Sequence, residues 1–166
     1  MNGELIIREA AKKDCDFILS LNEKNVEVLA PMDEARLQAF RRMAELFLVC
    51  EVSGVPAAFL LAMRENVTEY ESENYRWFKT HYDKFLYVDR IVIDEKYRGK
   101  GIGRTLYGQV IRHAKNSGVP FVTAEIDTIP YNEVSLKFHG AMGFREVGTQ
   151  FVRGGDVKVS LQVLEV

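Results

Sequence analysis

Three groups of residues in this chain have the types and spacing to do chemistry. The first is Tyr97-Arg98-Gly99-Lys100-Gly101-Ile102-Gly103, set between an apolar run (Phe85 to Ile93) and an amphipathic run (Arg104 to Lys115). A glycine-rich turn leading from a strand into a helix builds an anion site. Its backbone N–H groups point outward, nothing larger than hydrogen blocks a phosphate, and the helix dipole favours negative charge. The second group is Asn132, Ser135 and His139, spaced i, i+3, i+7 and therefore on one helix face. An imidazole there can donate or accept a proton near neutrality. The third is the alternating run Phe121 to Asp127, which places Thr123, Glu125 and Asp127 on one face of a strand. A strand covered by helices should be apolar on both faces, so a carboxylate row suggests a base.

The ligand of the glycine turn is narrowed by what the turn lacks. A nucleoside-triphosphate loop, G-x-x-x-x-G-K-S/T, needs a lysine followed by Ser or Thr, and none closes this loop. The dinucleotide fingerprint G-x-G-x-x-G also fails: its third glycine falls on Leu106 or on Arg104, depending on where it starts. What remains is R-x-x-G-x-G over Arg98 to Gly103. It resembles the pyrophosphate loop Q/R-x-x-G-x-G/A of the GNAT superfamily of acyl-CoA-dependent N-acetyltransferases. Asn132-Glu133-Val134-Ser135-Leu136-Lys137-Phe138-His139, followed by Gly143-Phe144, is similar to that superfamily's second signature, N-x-x-S/A-x-x-F/L-Y/H and then G-F. The resemblance runs from about Phe85 to Phe151.

This resemblance implies acetyl-CoA as acyl donor, with no metal, and an amine as acceptor: a small molecule, an amino acid derivative or a peptide N-terminus. It implies that the amides of Gly99, Lys100, Gly101, Ile102, Gly103 and Arg104 wrap the pyrophosphate, with Lys100 and Arg104 adding charge. A backbone N–H of Ile91-Val92-Ile93 would polarise the thioester carbonyl. Asn132 and Ser135 would face the pantetheine arm, while Val134, Phe138 and Met142 form an apolar stripe turned into the core. Many members carry a tyrosine as general acid where this chain has His139; Tyr131 is a second donor candidate. Glu125 matches a strand position from which some relatives draw a base. Asp89, beside Arg90, is a further carboxylate candidate or half of a structural ion contact. A plainer reading makes Asn132 a helix cap. Loss of the acid tyrosine leaves a non-catalytic acyl-CoA-binding module as the alternative function.

Acceptor recognition would fall to residues 64 to 85. This long connection carries Glu69, Glu71 and Glu73 and the aromatics Tyr75, Trp77, Phe78 and Tyr82. Such segments form lids and binding walls, and aromatics with acids suit a cationic amine. An extra helix tucking its aromatics into the core or into a homodimer interface is the other reading.

The elements that must position these groups follow from periodicity and turn signals. Glu4 to Glu9 reads as a strand, and Asp14 caps a helix running to about Val28 along Phe17, Ile18, Leu21 and Asn25. Asp33 to Glu45 reads as a helix carrying Leu37, Phe40, Arg41 and Ala44. Leu46 to Val52 and Val55 to Met63 form a hairpin around Ser53-Gly54. Phe85 to Ile93 is a strand, and Leu106, Tyr107, Val110, Ile111 and Ala114 share a face of the following helix. Pro120 to Asp127 is a strand, a short helix runs from Asn132 to near Gly143, and Phe144 to Val152 pairs with Val157 to Leu164. This order implies an α/β (α+β) fold: a mixed, mostly antiparallel sheet of about seven strands with helices on both faces.

At 166 residues, 47% hydrophobic and 28% charged, the chain suits one well-cored domain, 1–166. A net charge of −2 with no basic stripe argues against nucleic acid as a partner. Cys15 and Cys50 follow no metal or redox spacing, and the longest apolar run, Val55 to Met63, is too short for a bilayer. A cytoplasmic protein without membrane contact is the expectation.

Overall fold

The computed structural model describes residues 3–166. Seven strands form one sheet in the order β1-β2-β3-β4-β5-β7-β6. They are β1 (Leu5–Glu9), β2 (Leu46–Val52), β3 (Val55–Arg64), β4 (Leu86–Ile93), β5 (Phe121–Ile129), β6 (Arg145–Val152) and β7 (Val157–Glu165). The β1–β2, β2–β3, β5–β7 and β6–β7 pairs are antiparallel, and β4 runs parallel to β5 with Leu86 opposite Val122 and Tyr87 opposite Thr123. Five helices intervene: α1 (Cys15–Glu23), α2 (Glu34–Met43), α3 (Glu73–His81), α4 (Ile102–Asn116) and α5 (Glu133–Met142). The mixed, mostly antiparallel seven-stranded sheet is the one the element order implied. Among the described residues no helix is long and apolar enough to cross a membrane.

The backbone clusters into two compact units. One runs to Met63 and takes in Asp89–Val110; the other is Arg64–Val88 with Ile111–Val166. In the first unit, β3 is buried from Ala57 to Met63, with Leu37 and Phe40 of α2 and Ile18 of α1 also in the core. Helix α1 is shorter than its periodicity suggested. It ends at Glu23, because Asn25 turns its side-chain amide back onto the Leu21 carbonyl and Asn22 donates to the Ala30 carbonyl. These side-chain bonds give the backbone an alternative to further helix.

Asp14 stands at the N-cap position of α1 but makes no side-chain cap bond. Its carboxylate receives both terminal nitrogens of Arg8, at 2.7 and 2.8 Å, and the Ala11 amide. Arg8 also pairs with Glu51, which ties β1, β2 and the start of α1 together. In α2 the inward residues are Leu37, Phe40 and Met43; Arg41, counted on the apolar face from spacing, is exposed.

The second unit is organised around aromatics. The connection 64–85 contains α3, capped by the Ser72 hydroxyl accepting from the Tyr75 amide. Tyr75 meets Tyr70, Tyr87 and Phe85 edge-on at centroid distances of 5.5, 5.5 and 5.8 Å, and Phe78 adds to the same cluster. The Tyr75 hydroxyl donates to the Arg64 carbonyl and accepts from the Val67 amide, so its one polar atom is satisfied. Helix α3 also reaches β6 closely: a Cβ at Gly148 would stand 2.6 Å from a ring carbon of Trp77, so a larger residue there would have to displace the indole. On β7 both faces are covered. Val159, Leu161 and Val163 are buried as the alternation implied, and Ser160 and Gln162 on the other face are buried too.

Candidate active site

The glycine turn begins with a braced strand end. Asp94 follows β4, donates its amide to the Ala57 carbonyl, and accepts the Lys96 amide on its side chain. A single 3-10 turn, Glu95–Tyr97, then feeds Arg98. The Arg98 guanidinium reaches back to the Ile93 carbonyl and to Asn25 Oδ1, both at 3.3 Å. Arg98 therefore fixes the entry of the loop on its own side of the chain. Beyond it the backbone turns left-handed twice, at Gly99 (φ 75°) and Gly101 (φ 79°). Side chains with a Cβ adopt these angles only at a cost of about 1–2 kcal/mol.

Nothing lies within 4 Å of where a Cβ would project at either glycine, so the loop opens onto free space. Residues Arg98 to Gly101 are exposed. Helix α4 starts at Ile102, two residues earlier than its apolar spacing suggested, and its first turn-closing bond runs from the Thr105 amide to the Gly101 carbonyl. The amides of Ile102, Gly103 and Arg104 precede that bond and belong to the set a helix start leaves without intrahelical acceptors. Lys100 lies over the Tyr97 ring at 5.3 Å, and Arg104 is exposed on the first helical turn. Outward amides, positive backbone angles, open space and two cations fit a diphosphate.

The strand ahead of the loop carries Ile91, Val92 and Ile93, with Val92 buried and its neighbours half-buried. Asp89 and Arg90 form a 2.7 Å ion pair, with side chains 3% and 5% exposed. Arg90 further donates to Asn22 Oδ1 at 2.8 Å and to the Ala30 carbonyl at 3.2 Å, and lies 4.9 Å from the centroid of Phe40. Asp89 is thus held as a structural ion contact. The Ala30 carbonyl, clamped by both Asn22 and Arg90, fixes the α1–α2 connection. Next to it is an open depression of about 510 Å³, lined by Pro31, Asp33, Ala35, Arg36 and Ala39.

In the second unit, α5 brings Asn132, Ser135 and His139 together along one face, as their spacing required. Asn132 caps the helix through the Ser135 amide at 3.2 Å. His139 Nδ1 is 2.8 Å from the Ser135 carbonyl and 3.2 Å from its hydroxyl. The carbonyl accepts only, so Nδ1 carries the proton. The expected division of faces does not hold. His139 is 4% exposed and packs edge-on against Phe138 and Phe144, whereas Val134, assigned to the inward stripe, is 81% exposed. Bonding of Nδ1 to a carbonyl of its own helix lets the imidazole pack among the neighbouring rings.

Burial pushes the His139 imidazole below its usual 6.5, with the Ser135 carbonyl pulling weakly the other way. A base whose folded pKa is depressed binds fewer protons folded than unfolded in that window. Stability is therefore full above about pH 6.5 and declines as pH falls through it. His139→Phe is expected to flatten the loss of melting temperature between about pH 7 and about pH 5. A variant that keeps the full wild-type slope would contradict a neutral buried ring.

Glu125 on β5 accepts a 2.8 Å bond from the hydroxyl of Tyr87, a fully buried residue. This partner is not legible in the sequence, because Tyr87 sits inside an apolar run and its polar tip leaves no periodic trace. Asp127 follows two residues on, with its acid lifted by burial. Tyr131 stands just ahead of α5 and is 70% exposed. Of the aromatics assigned to acceptor binding, Tyr75 and Phe78 are buried in the core. Trp77 stacks on His81 at 3.9 Å, and Tyr82 meets Phe121 edge-on at 5.0 Å. Tyr75 and Phe78 thus tuck one face of α3 into the core, while Trp77 and Tyr82 stay half-buried.

A glycine turn of this geometry, opening a helix beside a seven-stranded sheet, is suited to a ligand that carries a diphosphate. The Acetyltransferase (GNAT) family model matches residues 7–144, and the chain belongs to that family of N-acyltransferases. It is 29% identical over 164 residues to the L-amino acid N-acyltransferase MnaT of Escherichia coli (strain K12), covering 91% of this chain and 89% of that protein. It is 26% identical over 106 residues to an uncharacterized N-acetyltransferase of Methanocaldococcus jannaschii, matching 64% of this chain and spanning only 42% of that relative's length. Among solved structures, a putative acetyltransferase from Salmonella typhimurium with its cofactor acetyl-CoA superposes with a TM-score of 0.69 at 21% identity, over 97% of this chain and 93% of that one.

Proposed function

We propose that the chain transfers an acetyl group from acetyl-CoA to the amine of an amino acid, an amino-acid-like small molecule or a peptide N-terminus. The single observation carrying this reading is the open, left-handed glycine loop at the start of α4. Similarity to an L-amino acid N-acyltransferase supports the acceptor class. Gly99 to Arg104 present amides to the diphosphate, with Lys100 and Arg104 adding charge, while Arg98 holds the loop in place. Acetyl-CoA supplies the activated acyl group, and its sulfur leaves with the electron pair of the broken thioester bond.

The remaining work is one proton off the amine and one onto sulfur. Glu125, oriented by Tyr87, takes the first. His139 is buried and neutral, so it has no imidazolium proton to give near pH 7. Tyr131 is the exposed donor next to α5 and provides the second. A backbone amide in Ile91–Ile93 polarises the carbonyl, and Asn132 and Ser135 bind the pantetheine arm. Mixing protein, acetyl-CoA and a panel of amines, and following free thiol, is expected to show amine-stimulated release matched by N-acetylated product. Tight acetyl-CoA binding without stimulated release from any amine would overturn the reading.

A further inference from the structure

The end of α1 carries two asparagines three residues apart, and each meets an arginine of β4 or of the segment after it. Asn22 is fully buried and accepts from Arg90 at 2.8 Å, while its own amide holds the Ala30 carbonyl. Asn25, half-buried one turn further on, accepts from Arg98 at 3.3 Å. The two pairs form rungs of unequal stiffness. The inner rung is short and lies out of water, beside the 2.7 Å Asp89–Arg90 ion pair. The outer rung is longer and exposed, and it is the one that ends on the glycine loop.

Asn25 has each of its polar groups engaged. Its backbone amide donates to the Asn22 carbonyl at 3.0 Å, and its carbonyl accepts from the amides of Val28 and Leu29 at 3.1 and 3.0 Å. Its side-chain amide donates to the Leu21 carbonyl at 2.8 Å, which leaves Oδ1 for the guanidinium. The turn over 24–29 is therefore built around this one residue. On the other side, Arg98 donates from Nε to the carbonyl of Ile93, the last residue of β4. One guanidinium thus joins the strand end, the entry of the loop Gly99 to Arg104 and the turn after α1. An exposed arginine gives up rotamer freedom when it is held in one pose. An acceptor that is itself fixed by four bonds can hold it there.

Resting on the acetyl-transfer reading above, we propose that Asn25 is a positioning residue for the cofactor loop, acting through Arg98. Latched to Asn25, Arg98 holds the loop entry in the arrangement whose amides converge on a diphosphate. Unlatched, the loop spends part of its time in other arrangements, and apparent affinity falls with the fraction that remains competent. The coupling works in both directions. A diphosphate that favours the latched loop also favours the bonded form of the turn over 24–29, so acyl-CoA binding steadies the α1–α2 connection. The inner rung, short and buried, needs no ligand to stay closed.

Calorimetry with acetyl-CoA, acetyl-transfer kinetics and amide hydrogen exchange test the latch. Asn25→Ala removes the acceptor and is expected to raise Kd and KM for acetyl-CoA roughly three- to tenfold, with kcat at saturation within about twofold of wild type. Asn25→Asp keeps an oxygen for Arg98, with added charge, and loses the donor to Leu21 just as the alanine does. Melting temperature should fall in both variants, while acetyl-CoA affinity should fall in Asn25→Ala alone. Arg98→Ala leaves Asn25 its own four bonds, and adding Asn25→Ala to it should change Kd by less than about twofold. In wild type, saturating CoA should slow amide exchange over 26–30. In Arg98→Ala that slowing should vanish, a result that stands even where Asn25→Ala fails to fold. Unchanged affinity in Asn25→Ala, equal loss in Asn25→Asp, or multiplied losses in the double variant overturns the assignment. So does exchange over 26–30 that responds to CoA as strongly in Arg98→Ala as in wild type. Wild-type protein that fails to bind acetyl-CoA strikes the underlying reading instead.

Discussion

Gly101→Val is expected to raise KM and Kd for acetyl-CoA by roughly 10- to 100-fold, with kcat changed little at saturation. Gly101 holds φ at 79°, and a β-branched residue at such an angle is a genuine outlier. The substitution acts in two ways that add. The backbone must leave the left-handed region or bear the strain, which re-aims the amides of Gly101 and Ile102. The new methyl groups also project into the free space beside the loop, where an anion would stand. Hydrogen bonds to charged groups contribute about 1.5–3 kcal/mol each, so misdirecting one or two produces the stated loss. Because the loop is exposed and makes few internal contacts, the melting temperature should stay close to wild type. A binding loss that came with a collapse in stability would point to misfolding instead. Equal acetyl-CoA affinity in the variant would remove the loop from the cofactor site.

Arg90→Ala is expected to have the largest effect on stability, a fall of roughly 6–20 °C in Tm. The guanidinium is 5% exposed and holds three polar partners at once: the Asp89 carboxylate, Asn22 Oδ1 and the Ala30 carbonyl. Removing one member of a buried ion pair costs about 3–5 kcal/mol, and for a chain of this size each kcal/mol lowers Tm by about 2–4 °C. The α1–α2 connection also loses one of the two donors on Ala30, so it should exchange amide hydrogens faster. Arg90→Lys should fall in between, since an ammonium keeps the charge without the planar fork that reaches all three acceptors. A Tm within about 2 °C of wild type in Arg90→Ala would show that the cluster contributes little.

Much of this was legible in the sequence, for definable reasons. Strand positions were read to within a residue or two because apolar runs and turn residues are local signals. The Ser53-Gly54 hairpin is one case, with Val52 opposite Val55. The loop was legible because positive backbone angles demand glycine, and glycines at fixed spacing survive in one dimension. The Asn132–Ser135–His139 row was legible because helical periodicity sets it.

The errors share a cause, which is that polar side chains spend themselves on tertiary partners. Asp14 looked like a cap, and Arg8 claims its carboxylate. Asn22 and Asn25 end α1 early by bonding to carbonyls. His139 looked outward by type, yet a satisfied Nδ1 and two aromatic neighbours let it be buried, and Val134 is exposed in its place. Residues 64–85 showed aromatics without showing which way they face. The fold turns Tyr75 and Phe78 into the core, and Tyr87 was hidden until its hydroxyl met Glu125.

The central claim is that the loop from Gly99 to Arg104 holds the diphosphate of the acyl donor. It is tested most directly by measuring kcat/KM for wild type and Gly101→Val with two donors, acetyl-CoA and acetyl-pantetheine, which lacks the diphosphate. The expected result is a loss of roughly 10- to 100-fold for the variant with acetyl-CoA and equal rates for both proteins with acetyl-pantetheine. The same fractional loss with both donors would contradict the claim, because the substitution would then be acting on something other than the diphosphate.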